Sequence, residues 1–191
     1  MRLTRIIEPT ELPVSLEEVK LHCRVDHNDE DTLLTSLIAA ATDYLDGPSG
    51  ILGRAIINQE WLIELDEWPI YLVLPIEPIQ TVLVKYNNEA GIETTIAGSD
   101  IILINNPSAR SILEWVDGFS FPKLNASRYP IGITLSAGFG AAAEIPESIK
   151  VAIQMIVGNW YENREATVVG MSVVDLPMAV NALLARWRVL L

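Results

Sequence analysis

Cysteine is nearly absent from this chain of 191 residues: Cys23 stands alone. A single thiol makes no intramolecular disulfide and no Cys-based zinc site, and a reducing cytoplasm is the simplest place of synthesis. Basic residues are scarce as well. Thirteen Lys and Arg face 25 Asp and Glu, for a net charge of −12. Tight nucleic-acid binding draws its affinity from cations on phosphates, so this balance argues against it while leaving room for a surface that DNA slides past. No apolar run reaches the roughly 18 residues of a membrane span. The opening MRLTRIIEPTELP has basic residues, but Glu8 and Pro9 interrupt any signal-peptide core.

The familiar catalytic constellations are missing too. Neither G-x-S-x-G, G-x-x-x-x-G-K-[ST] nor H-E-x-x-H occurs. His22 and His27 lie five apart, off the i, i+4 spacing of a helical metal pair. The acidic run Asp26–Asp31 (DHNDED) looks like a cation loop, but an EF-hand wants Gly at its sixth position and Glu at its twelfth, where this chain has Asp31 and Leu37. Those carboxylates are expected to favour the positive end of the following helix, with Asp29 or Asp31 as its N-cap. Gly138, Gly140 and Ala143 fit a dinucleotide-type G-x-G-x-x-A, yet Pro146 delays the helix and no second parallel strand follows. The glycines are expected to turn the chain from sheet to helix. Glu60, Glu64 and Asp66 share one side of a strand opposite Trp61, Ile63 and Leu65, the pattern of a solvated face rather than a glycosidase pair. Asn125-Ala126-Ser127 is a sequon in form only. No catalytic residue, cofactor site or metal site is expected, and the chain reads as a non-enzyme.

What is present is ordinary globular material, half hydrophobic and one-fifth charged. A chain of this size buries roughly 70% of its unfolded surface and needs no covalent staples. The apolar period is helical at both ends and close to two in the middle, predicting an α+β fold. Ser15 and Glu18 form a capping-box pattern before a short helix. Leu33, Leu34, Leu37, Ile38, Ala41, Tyr44 and Leu45 repeat at helical spacing until Gly47-Pro48 stops the run. Between about Ala55 and Gly140, INQEWLIELDEW, YLVLP, TVLVKY, ETTI, IILI, SILEWV and IGITLSAG read as short strands of a mostly antiparallel sheet, with a hairpin at NNEAG. Two helices close the chain, about Pro146–Asn163 and Pro177–Val189, each with Pro near its first turn. Their stripes, Ile149, Ile153, Ile156, Trp160 and Leu176, Val180, Leu183, Trp187, match in spacing. Val151 and Met155 lie off the first stripe, and a helix apolar on more than one side is usually sandwiched between layers or subunits. The last helix either docks on another chain or completes the subunit's own core.

Four stretches resemble, in order, the head–tail connector (adaptor, or head-completion) proteins of tailed phages, prophages and gene-transfer particles. They are LHCRVDHNDEDTLLTSLIAAATDYLDGPSG, LPIEPIQTVLVKYNNEAG, ITLSAGFGAAAEIPESIKVAIQMIVGNWYENRE and LPMAVNALLARWRVL. Residues 100–128 carry no part of the resemblance. It implies a single connector domain over residues 1–191, a helical bundle from helices at about 15–46 and 146–189, and a β insert at about 55–140. It also implies a homo-oligomeric ring of about twelve copies under the portal protein, extending the DNA channel and offering a platform to a tail or stopper protein. Such a protein works in the virion, at the head–tail junction, after synthesis in the bacterial host cytoplasm. DNA passes through it without specific binding, and an acidic lining suits that passage by repelling phosphates. No membrane and no cofactor are involved. Trp160, Tyr161, Arg164, Leu176, Val180, Leu183 and Trp187 are the interface candidates, since aromatic residues and Arg dominate contact energies. The ENREATVVG link is expected to lead out of the bundle toward a partner. Other readings are a tail-completion or stopper protein of the same particle, or a small carbohydrate-active or ligand-binding domain using the Glu60/Glu64/Asp66 face.

Overall fold

Ser15 opens the first helix as the sequence predicts. Its Oγ accepts from Glu18 N at 3.1 Å, and Glu18 Oε2 accepts from Ser15 N at 2.6 Å, closing the capping box. The computed structural model describes residues 1–106, 109–164 and 178–189. Among them the helices are α1 (Leu16–Cys23), α2 (Asp31–Leu45), α3 (Glu147–Glu162) and α4 (Met178–Leu184). The strands are β1 (Arg2–Ile7), β2 (Gln59–Leu65), β3 (Tyr71–Val73), β4 (Ile79–Asn87), β5 (Glu93–Thr95), β6 (Ile101–Ile104), β7 (Ile112–Trp115) and β8 (Ile131–Ala137). They fall into two compact units. One takes the helices, from Thr10–Ile57 and Phe139–Arg188; the other takes the strands, from Met1–Pro9 and Asn58–Gly138.

In the helical unit α3 packs against α1, α2 and α4. Its stripe does what the periodicity predicts: Ile149, Ile153 and Ile156 are buried, joined by Leu34, Ile38, Ala41 and Leu45 from α2. Each enclosed aliphatic side chain contributes about 1.5–3 kcal/mol relative to exposure. Val151, off the stripe, is exposed, whereas Met155 packs on the core edge.

Two helix ends differ from expectation. Neither Asp29 nor Asp31 caps α2. Glu30 holds the N-cap position without a side-chain cap bond, its carboxylate being taken by Tyr161 and Arg164, while Lys20 Nζ donates to Asp31 Oδ1 and Asn28 Oδ1 at 2.7 and 2.6 Å. The last helix is shorter than the expected 177–189: α4 spans seven residues and tightens into a 3₁₀ turn at Ala185–Trp187.

In the strand unit every ladder among the described residues is antiparallel, as the sequence predicts, but the strands divide between two sheets. One has the order β1-β2-β8-β4-β5 and the other β3-β7-β6. The N-terminal segment, read only as lacking a signal-peptide core, forms the edge strand β1. In β2 the alternation holds: Ile63 and Leu65 are buried, while Glu60 and Glu64 point the other way with Leu62. NNEAG is the hairpin between β4 and β5, where Gly91 takes φ +76°. Trp68 meets Tyr86 of β4 and Trp115 of β7 edge-on, with centroids 5.5 and 5.4 Å apart, so an aromatic cluster links the two sheets.

The turn from β8 toward α3 needs its glycines. Gly140 sits at φ +131°, and a Cβ there would come within 2.0 Å of Glu144 Oε2. That same carboxylate oxygen accepts from Ala141 N at 2.9 Å, fixing the one-turn 3₁₀ helix Ala142–Glu144 that precedes α3. This is a chain reversal rather than a phosphate cradle.

Candidate subunit interface

The end of α3 gathers three of the expected interface residues. Trp160 is half-buried and meets Tyr44 of α2 edge-on, centroids 6.1 Å apart. One residue on, the Tyr161 hydroxyl donates to Glu30 Oε2 at the start of α2. Arg164 reaches the other oxygen, Nη2 to Glu30 Oε1 at 2.5 Å, and lays its guanidinium 5.0 Å from the centre of the Tyr161 ring. Donation by Tyr161, then by Arg164, holds the Glu30 carboxyl below its ordinary range. Donating to Glu30 pushes Tyr161 up, because losing its proton would break that bond and set two anions side by side, and the nearby Arg164 offsets this only in part. Glu30 was absent from the sequence-based candidates. Its signal was faint: one acid among several ahead of α2, whose partners lie more than a hundred residues downstream.

The second stripe turns inward. Val180 is fully enclosed and Leu183 packs against the helical core. Trp187 is half-buried, its ring edge-on to Phe139 with centroids 5.4 Å apart and its Nε1–H donating to Ser148 Oγ at 2.7 Å. Its carbonyl accepts from Arg54 Nε at 2.5 Å, and Arg186 covers the ring at 4.6 Å. Of the two roles open to the last helix, the described part fills the core one. Leu176 lies outside the described residues, as does most of the ENREATVVG link.

The carboxylate candidates do not converge. Glu64 pairs with Arg2 at 3.2 Å, and Asp66 Oδ1 accepts from Tyr129 N at 3.3 Å. Glu60 lies on the outer side of β2, half-buried. His27 Nδ1 lies 3.8 Å from Asp29 Oδ2. Among the described residues no group of three or more His, Cys, Asp or Glu could hold a metal ion, and no helix is long and apolar enough to cross a membrane.

Comparison with known families gives a match over residues 13–106 and 123–188 to the phage gp6-like head–tail connector proteins. This chain belongs to that family. Membership makes it a structural connector protein of the phage head–tail type rather than an enzyme. Among solved structures, it resembles a chain in the neck of an empty gene transfer agent particle computed with C6 symmetry. They share 25% identity with a TM-score of 0.78 over 100% of this chain and 96% of that one. A chain in the virion of a native gene transfer agent particle shares 27% identity at TM-score 0.78, over the same fractions. A third, in the neck of the native particle computed with C12 symmetry, shares 25% at TM-score 0.71, again over 100% and 96%. No curated protein sequence matches the chain. The connector family match omits residues 107–122, which include β7.

Proposed function

We propose that this connector forms a ring at the head–tail junction of a phage-like particle, under the portal protein, where it extends the DNA channel and receives a tail or stopper protein. The observation that carries the reading is end-to-end likeness to particle-neck chains: 100% of this chain and 96% of the neighbour at TM-score 0.78. That neighbour's neck was computed with C6 symmetry and a related one with C12 symmetry, so copies repeat around an axis there. The net charge of −12 suits a channel component, since acidic walls repel phosphates and let DNA pass without sticking. Both compact units act together in this role as one connector subunit. Trp160, Tyr161 and Arg164, at the end of α3, are the described candidates for contact with a neighbour or the portal, and Leu176 remains a candidate with them. Val180, Leu183 and Trp187 serve the contact indirectly by fixing α4.

The test is addition of the purified protein to DNA-filled heads that carry a portal but lack a connector, followed by electron cryo-microscopy of the portal vertex. A ring of copies at that vertex, and tails joining only after its addition, are the expected results. Binding elsewhere on the head, or no binding at all, overturns the reading.

A further inference from the structure

The two sheets of the strand unit treat their outer faces differently. On the three central strands of the five-stranded sheet the outward positions are Glu60, Leu62 and Glu64 of β2, Thr134 and Ser136 of β8, and Thr81, Leu83 and Lys85 of β4, a mostly polar surface. The three-stranded sheet is apolar on both sides. Its inner side carries Leu72, Leu113 and Trp115, the first two buried. Its outer side carries Tyr71 and Val73 of β3 and Ile102 and Ile104 of β6, exposed by 58, 45, 42 and 43%. Between them lies Ile112 of β7, in register with both Val73 and Ile104. Glu114, between Tyr71 and Ile102, is the charged residue on that face among the described strand residues.

We propose that this outer face of β3-β7-β6 is a contact between neighbouring copies of the connector in its ring, an inference that rests on the ring-forming role above. Copies of a chain with a net charge of −12 repel one another over most of their surface. Self-association is cheapest through a patch where charge is depleted and apolar area is exposed, and this face combines both. A ring also requires heterologous contacts, each copy presenting one surface to a different surface of the next. Three strands about 4.8 Å apart and three to four residues long at about 3.4 Å per residue cover on the order of 150–200 Å². That suits the anchor patch inside a standard interface of about 800 Å² per partner, not a whole interface. The central strand β7 falls in the stretch that the family match omits, whereas β3 and β6 lie inside it.

The experiment compares wild type, Val73→Glu with Ile104→Glu, and the control Thr81→Glu on the polar sheet, each as the full chain on portal-bearing heads. All three positions are solvent-facing, and far-UV circular dichroism with melting checks that the folds agree. Should the double Glu variant melt early, Val73→Thr with Ile104→Thr gives the same readout with strand propensity kept. Wild type and Thr81→Glu are expected to fill the ring at equal concentrations. The double variant should need roughly tenfold more protein or leave incomplete arcs. A double variant that fills rings like wild type overturns the inference. So does one that fills rings normally but no longer accepts tails, since the face would then belong to the next component. A wild type that forms no ring overturns the parent reading instead.

Discussion

Trp187 donates its indole N–H to Ser148 Oγ at 2.7 Å, tying the last 3₁₀ turn of the described chain to the first turn of α3. With the ring also edge-on to Phe139, the tryptophan closes one end of the helical core rather than offering itself outward. Trp187→Ala should therefore destabilise the protein by about 2–4 kcal/mol, through lost packing plus an unpaired hydroxyl. Ser148→Ala should cost about 1 kcal/mol. Urea denaturation followed by circular dichroism measures both. A Trp187→Ala protein as stable as wild type would mean the ring contributes nothing to the fold.

The Glu30 tie predicts a pH dependence with a definite sign. Its carboxyl titrates below the ordinary 4.5 in the folded chain, chiefly because the charged form accepts from Tyr161 and then Arg164. Stability from the tie is thus fully present above that ordinary value and fades as pH falls through the lowered one. Wild type should melt above Glu30→Gln near neutral pH, and the gap should close as the pH falls below the ordinary carboxylate range. The tie is solvent-facing, so the gap is small and shrinks further in high salt.

Gly140→Ala should cost about 1–3 kcal/mol, since an L side chain is strained at a φ of +131° and its Cβ would displace Glu144. Glu144→Ala separates the two causes. If displacement of Glu144 dominates, the double substitution costs little more than Glu144→Ala alone; if backbone strain dominates, the costs add. Thermal melts of the four proteins decide.

Glu64→Gln should change stability by less than about 1 kcal/mol, because its ion pair with Arg2 lies at the surface. Preparations of wild type should show no glycosidase, esterase or nuclease turnover. Turnover that Glu64→Gln abolishes would make the outer side of β2 a catalytic surface after all.

These residues also show what the sequence could express. The capping box of Ser15 and Glu18, the buried stripe of α3 and the alternation of β2 were legible because each is local: periodicity and neighbouring side chains determine them. Glu30 was not, because its partners Tyr161 and Arg164 are brought near only by the packing of α3 on α2. Val180 was ambiguous for another reason: an apolar stripe has the same spacing whether it meets its own chain or a different one. The outward apolar face of Tyr71, Val73, Ile102 and Ile104 lay in strands read correctly from the sequence. Both alternations in YLV and IILI are apolar, which leaves the outer side unmarked until the pairing is known. The strand β1 escaped because six residues with three charged or polar side chains give little period to read.

Near Ile56 the chain leaves the helical unit and near Phe139 it comes back, and Phe139 N donates to Ile56 O at 3.2 Å. A few residues further out, Gln59 and Ala137 already face each other across the first rung of the β2–β8 ladder. For the helices, everything between is a loop whose two stems are fastened together at their root, so its length scarcely enters the entropy of closing them. The strand unit is nonetheless not a self-contained cassette: a transplant of residues 58–138 between the two stems leaves behind β1, which completes the edge of the sheet that β2 begins, so the first nine residues have to be supplied as well.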